Sequence, residues 1–216
     1  MSQNTAPSVN TGRRAGLDQA DMVAVALGLV EREGPAALTM RRLAAELEVT
    51  TNTVYWHVGS RDELIAEVIR ARSTEMAERE VIGSTARERV TSAARNIWDN
   101  AFANRAVTSL AHQTGTTALL EHPLQVALAR EIEAAGLAGD AAALAMRAIL
   151  ATVGGFLVGA LRDESAIPAH LRSPSLWSMT EAGLDPTTVG ALSEPIDHEA
   201  VFTTTLDVVV GAHIPA

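Results

Sequence analysis

Thr39-Met40-Arg41-Arg42-Leu43-Ala44-Ala45-Glu46-Leu47-Glu48-Val49-Thr50-Thr51-Asn52-Thr53-Val54-Tyr55-Trp56-His57-Val58 is the stretch that decides the fold. Thr39 can cap a helix, and Leu43, Ala44 and Leu47 share one face of it. Only Glu48 to Thr50 precede a second short helix, Thr51–Val58, with Val54 and Val58 apolar at i, i+4. Two short helices joined this tightly form a helix–turn–helix. Leu43, Ala44, Leu47, Val49, Val54 and Val58 would pack it together with the preceding helix. Thr50, Thr51, Asn52, Thr53, Tyr55, Trp56 and His57 are then left exposed. A helix in a DNA major groove needs such groups: Asn pairs with an adenine edge, and Thr binds phosphate or touches a thymine methyl. Thr also caps helices, so the spacing supports DNA binding without specifying it.

Upstream, Asp18 reads as the N-cap of a helix over Asp18–Glu33, with Met22, Val23, Ala26, Leu29 and Val30 at helical spacing. Residues 1–15 are polar and aperiodic and read as a flexible arm. Downstream, Ser60 and Glu63 form a capping box that opens a helix to about residue 80. Thr85 and Glu88 form another, opening a helix to about Leu110. Residues 111–121 read as irregular or as one short helix. Pro123 suits the first turn of a helix to Ala135. Asp140 would cap a long helix to about Asp163, residues 166–197 read as a long loop with room for one short helix, and His198–Gly211 as a final apolar helix. With 39 Ala but only 7 Phe, Trp or Tyr among 216 residues, helix packed on helix is the expected class, all-α.

What is missing is equally informative. The chain has no Cys, which excludes disulfides, thiolate nucleophiles and zinc fingers. It has 17 Arg and no Lys, so it has neither a Walker A lysine nor a Schiff base. No recognisable catalytic constellation is present, and no enzyme activity, cofactor or metal is expected. The first 20 residues have no apolar core of signal-peptide type, so a cytoplasmic protein is expected. The net charge of −9 argues against a general nucleic-acid coat. That charge is uneven: residues 1–62 hold 6 Arg against 7 acids, and residues 63–216 hold 11 against 19. A DNA face therefore belongs near the N-terminus. The segment Ala141–Leu161 carries one charge, Arg147, and is long enough to span a bilayer. Its Ala and Gly content and its solitude favour a helix buried in a soluble interface, with no membrane partner. Gly155 and Gly159 would let a partner helix approach closely, such as one from a second subunit.

Residues 38–49 and 53–64 together resemble the DNA-binding domain of the tetracycline-repressor (TetR) family, and Tyr55-Trp56-His57-Val58 is especially like the family's namesake. The resemblance covers about residues 16–72. It implies a helix–turn–helix DNA-binding domain over 16–62 and a larger helical ligand-binding and dimerisation domain over 63–216. Arg41 would then contact phosphate or a base. Thr50, Thr51, Asn52 and Thr53 would face bases, and Tyr55, Trp56 and His57 would seat the helix on the backbone. Arg61 would hold another phosphate. Tyr55 also admits a reading as core, and Arg13 and Arg14 read as a solvated tail or as an arm reaching an adjacent groove.

The resemblance further implies a homodimer through Ala141–Asp163 and His198–Gly211, double-stranded operator DNA as partner, and release by a small-molecule effector. Candidates for the effector pocket are Trp98, Phe102, His112, Gln113, Met146, Leu150, Phe156, Trp177 and Met179, each of which could equally be ordinary core. In the family's namesake a drug-bound magnesium ion is chelated by a His and partner-chain groups, and His112 and Asp163 fall near such positions. Where that repressor grips tetracycline, this chain offers Ala77, Ala93 and Ile97, which points to a more apolar effector than tetracycline. His112, His122 and Glu121 read as solvated side chains rather than metal ligands. The competing reading is an all-helical carrier or enzyme without DNA binding; repressor and activator are not separated by sequence.

Overall fold

The computed structural model describes residues 17–77, 79–160, 168, 170, 172–179 and 183–215. The expected arm over 1–15, with Arg13 and Arg14, and Asp163 lie outside the described residues. The described chain is all helix: α1 (Gln19–Glu33), α2 (Met40–Glu46), α3 (Thr51–Val58), α4 (Arg61–Met76), α5 (Ala86–Ala103), α6 (Arg105–Gln113), α7 (Thr117–Ala134), α8 (Gly139–Ala160), α9 (Ser173–Ser178), α10 (Pro186–Leu192) and α11 (His198–His213). They form two compact units. One joins residues up to Glu75 with Ala106–Leu120; the other joins Met76–Arg105 with residues from Glu121 onward.

In the first unit each short helix is held by its caps. Asp18 and Asp21 make a reciprocal capping box at the start of α1. Thr39 Oγ1 accepts from the Arg42 amide at 3.1 Å, and Thr50 Oγ1 accepts from the Thr53 amide at 3.2 Å. The turn between α2 and α3 is a Schellman motif. The Glu48 amide donates to the Ala45 carbonyl at 3.2 Å and the Val49 amide to the Ala44 carbonyl at 3.0 Å. Glu48 therefore sits at φ 55°, the one non-glycine with positive φ among the described residues. Gly59 (φ 72°) turns the chain from α3 into α4, where a Cβ would collide with the Glu63 carboxylate that caps α4. Met22, Leu29, Leu38, Leu43, Val54, Leu64 and Ile69 fill the core of this unit.

In the second unit α8 packs along α11, and α5 packs on both. Trp98 stacks on Phe202 with centroids 4.1 Å apart. Arg87 Nε donates to the Ile214 carbonyl at 2.9 Å, closing the end of α11.

Four boundaries differ from the sequence reading. The α4 helix stops at Met76, short of residue 80. The helix expected to run to Leu110 breaks at Asn104, whose non-helical backbone (φ −123°, ψ 43°) caps α5 and lets α6 begin. Pro123 does not open α7; it lies inside it, six residues after Thr117. The long loop over 166–197 contains two short helices, α9 and α10, each with Pro in its first turn.

The left-handed turn gives one prediction. Glu48→Gly should raise the unfolding free energy by up to about 1 kcal/mol, and Glu48→Val should lower it by about 1–2 kcal/mol. Urea midpoints test this, and equal midpoints would show that the turn carries no strain. A second prediction follows from the two capping carboxylates. The amide and hydroxyl of Ser60 hold Glu63 below its usual 4.5, and those of Ser84 and Thr85 do the same for Glu88. A depressed folded pKa stabilises above 4.5 and is lost as pH falls through the lower folded value. The Glu63→Gln/Glu88→Gln chain should therefore unfold at lower urea than the native chain at pH 7, with the gap closing in acid. A gap that stays constant down to low pH would contradict it.

Candidate functional site

The α3 helix has two buried side chains, Val54 and Val58, and everything else on it is available. Trp56 is 82% exposed and Tyr55 49%, so the reading of Tyr55 as core is set aside. Asn52 is exposed, while Thr51, Thr53 and His57 are half-buried. The His57 ring meets the Trp56 ring edge-on at 4.6 Å. Thr50 and Thr53 share a hydroxyl–hydroxyl hydrogen bond of 2.9 Å. Thr50 is thus a cap, and its hydroxyl is engaged before any base is met.

Two neighbouring arginines have different fates. Arg42 is held by Glu33 at 2.8 Å and Glu46 at 2.9 Å, and these partners raise its pKa. Arg41 is exposed, and among the described residues no carboxylate lies within ion-pair distance of it. Arg61 Nε donates to the Leu38 carbonyl at 3.3 Å, which anchors the side chain at the head of α4. Arg41 and Arg61 are therefore two guanidinium groups that this unit leaves exposed in the segments flanking α3. No acidic residue occurs on α3 itself. Exposed Asn, Tyr and Trp beside half-buried Thr and His, with two exposed arginines in the flanking segments, is chemistry suited to reading DNA.

The second unit holds a cavity of about 350 Å³ lined by Trp98, Asp99, Phe102, Ala160, His198 and Glu199. Phe102 packs on Trp98 at 4.7 Å, and Phe156 meets Phe202 edge-on at 5.9 Å. Trp98, Phe102 and Phe156 thus gather around one aromatic cluster. Met146 and Leu150 are half-buried on α8. Trp177 is half-buried and Met179 exposed at α9, and neither lines this cavity. His112 and Gln113 are exposed at the end of α6, in the other unit. The sequence reading missed Phe202, the hub of the cluster. The signal was present, because Phe202, Leu206 and Val210 form an i, i+4, i+8 stripe on α11. A broader groove of about 640 Å³ is lined by residues 80–83, α5 and α11, and Arg95 in its wall donates to Thr203 at 2.7 Å and to Glu199 at 3.0 Å.

The sequence pattern of the family described as "Bacterial regulatory proteins, tetR family" matches residues 23–68, which span most of α1 through the first half of α4. An HTH-type transcriptional regulator of Saccharopolyspora erythraea is 37% identical over 49 residues, 23% of this chain and 21% of its own; the match thus spans about a fifth of that relative. Across nearly the whole chain the fold is similar to the Streptomyces coelicolor TetR family protein ActR in complex with (S)-DNPA. Identity there is 25%, covering 92% of this chain and 97% of that one, with a TM-score of 0.68. BioQ bound to its double-stranded DNA operator is 28% identical, covering 68% of this chain and 87% of that one, with a TM-score of 0.54. Residues 23–68 thus carry the DNA-binding pattern of the TetR family, and the chain as a whole is similar in fold to solved TetR family proteins.

Arg41→Ala should weaken duplex binding on all sequences alike and flatten the salt dependence by about one unit of log–log slope. Asn52→Ala should cost about 1–3 kcal/mol on the preferred duplex and little on others. Titrations on matched and scrambled duplexes at several salt concentrations check both, and an Asn52→Ala loss that is equal on every sequence would remove Asn52 from base reading.

Proposed function

We propose that this chain is a cytoplasmic, ligand-responsive repressor that binds a palindromic operator as a homodimer and is released by a small molecule. The observation that carries the reading is the α3 surface: two buried valines, with Asn52, Tyr55 and Trp56 turned out and Arg41 and Arg61 exposed on either side in sequence. The domain over 16–62 reads DNA, and the domain over 63–216 binds the effector and dimerises. Arg41 contacts a phosphate or a base; Thr50, Thr51, Asn52 and Thr53 face the bases, the Thr50 and Thr53 hydroxyls as a bonded pair; Tyr55, Trp56 and His57 seat the helix on the backbone, and Arg61 holds another phosphate. The (S)-DNPA bound to ActR and the operator bound to BioQ support both halves of this reading by likeness.

Dimerisation is supported by the apolar faces of α8 and α11. The α8 helix is long and apolar enough to cross a membrane, yet only 22% of its apolar window is buried within one chain. Leu144 and Val158 on α8 and Val201 and Val208 on α11 are 46–67% exposed. Paired helices that both show bare valines need a cover, and a second copy of the same pair supplies one. Gly155 is open to such a partner, whereas Gly159 is already covered by His198 of its own chain, 3.6 Å from where a Cβ would stand.

The effector cavity is proposed at Trp98 and Phe102, with Phe156 behind them. Its aromatic walls suit a planar, largely apolar ligand other than tetracycline, with Asp99 and His198 as polar handles, while Glu199 at its edge is already paired with Arg95.

Selection of bound duplexes from a random pool at about 0.1–0.15 M salt tests the reading. A palindrome with half-sites about one helical turn apart should be enriched. Val208→Asp should sediment as a monomer and lose that enrichment. A native chain that enriches no sequence would move the carrier or enzyme reading to first place.

A further inference from the structure

Ser73 is one of three buried polar residues among those described, only 6% exposed in the last turn of α4. Its neighbour Thr74 does what a helical hydroxyl commonly does and donates back to the Arg70 carbonyl at 3.0 Å. Ser73 instead donates across the unit to the Leu119 carbonyl, 46 residues on, at 3.1 Å. Leu119 is the third residue of α7, and the helical partner of its carbonyl would be the amide of residue 123. Residue 123 is proline, which has no N–H and whose ring crowds that same carbonyl. The Ser73 hydroxyl thus supplies the donor that Pro123 withholds.

The position matters as much as the bond. The α4 helix leaves the first unit after Glu75, and α7 leaves it after Leu120. Ser73 and Leu119 lie within two residues of these two exits. Next to Ser73, Arg72 pairs with Glu31 of α1 and, at 2.6 Å, with Glu75. Two adjacent residues of α4 therefore grip α1 on one side and α7 on the other.

We propose that Ser73 is a positioning residue. By bonding the carbonyl freed by Pro123, it locks α4 to the first turn of α7 and carries the coupling between operator binding and the effector domain. The coupling part rests on the regulator reading above; the bond itself does not.

Two measurements separate them. The first is a urea-unfolding cycle of the native chain, Ser73→Ala, Pro123→Ala and the double variant. Ser73→Ala should lower the midpoint clearly in the chain that keeps Pro123 and much less in the Pro123→Ala background, because alanine returns the missing N–H. An equal loss in both backgrounds overturns the assignment. The second measurement uses the selected palindromic duplex as the probe, since coupling between two sites is reciprocal. Adding the duplex to the native chain should change amide exchange over residues 121–134 by about fivefold or more. Ser73→Ala should bind the duplex and lose that change, and Ser73→Thr, which keeps the hydroxyl, should retain it.

An undiminished change in Ser73→Ala overturns the proposal, as does its loss in both variants. A Ser73→Ala chain that no longer binds the duplex also overturns it, because the residue would then belong to the DNA-binding fold itself. A native chain that binds no duplex overturns the regulator reading and the coupling with it, leaving the unfolding cycle to decide the bond.

Discussion

The burial of Val54 and Val58, four residues apart on a helix of eight, is the constraint on which the DNA face depends. A helix this short does not persist alone in water. It exists because these two side chains insert among those of α1 and α2, each contributing roughly 1.5–3 kcal/mol of burial. Their spacing also fixes the rotation of the helix. Once both valines point in, Asn52, Tyr55 and Trp56 have no choice but to point out. The stability of the helix and the face it presents are therefore set by the same two positions.

That constraint explains why the N-terminal part was so legible. The bounds Thr51–Val58 follow from a cap, an i, i+4 pair and a glycine, all local in sequence. The capping pairs at Ser60/Glu63 and Thr85/Glu88 are local as well, and each appears with its bonds made. The resemblance to the TetR family is carried by the stretch that spans the first of these features, residues 38–64.

The rest was less legible because its causes are distant in sequence. The apolar stripe of α5 runs on into Val107 and Leu110, so periodicity alone joined two helices that Asn104 separates. Pro123 carries the sequence signature of a helix start, yet α7 begins six residues earlier. Nothing local announces that a buried serine 50 positions upstream donates its hydroxyl to the freed carbonyl. Likewise Trp98 and Phe102 were visible as a pair, while the ring they gather around, Phe202, lies a hundred residues away.

The same contrast divides the chain by chemistry. The helix–turn–helix is built from groups that one short segment presents, which is why its pattern is recognisable over residues 23–68 alone. The aromatic cavity of the second unit is built from α5, α8 and α11, whose neighbours are set by tertiary packing. Packing tolerates exchange of one apolar side chain for another of similar volume. A cavity wall can therefore drift in shape while the helices around it keep their places. A fold similar to ActR over nearly its whole length, at 25% identity, is the expected outcome: the scaffold persists while the side chains lining its cavities are free to differ. The joint at Ser73 belongs to neither category. It is a polar bond between two helices that both pass from one unit to the other, made necessary by a proline and buried where water cannot replace it. An apolar residue at position 73 would leave the Leu119 carbonyl without the donor that Ser73 provides, so packing alone cannot substitute for it.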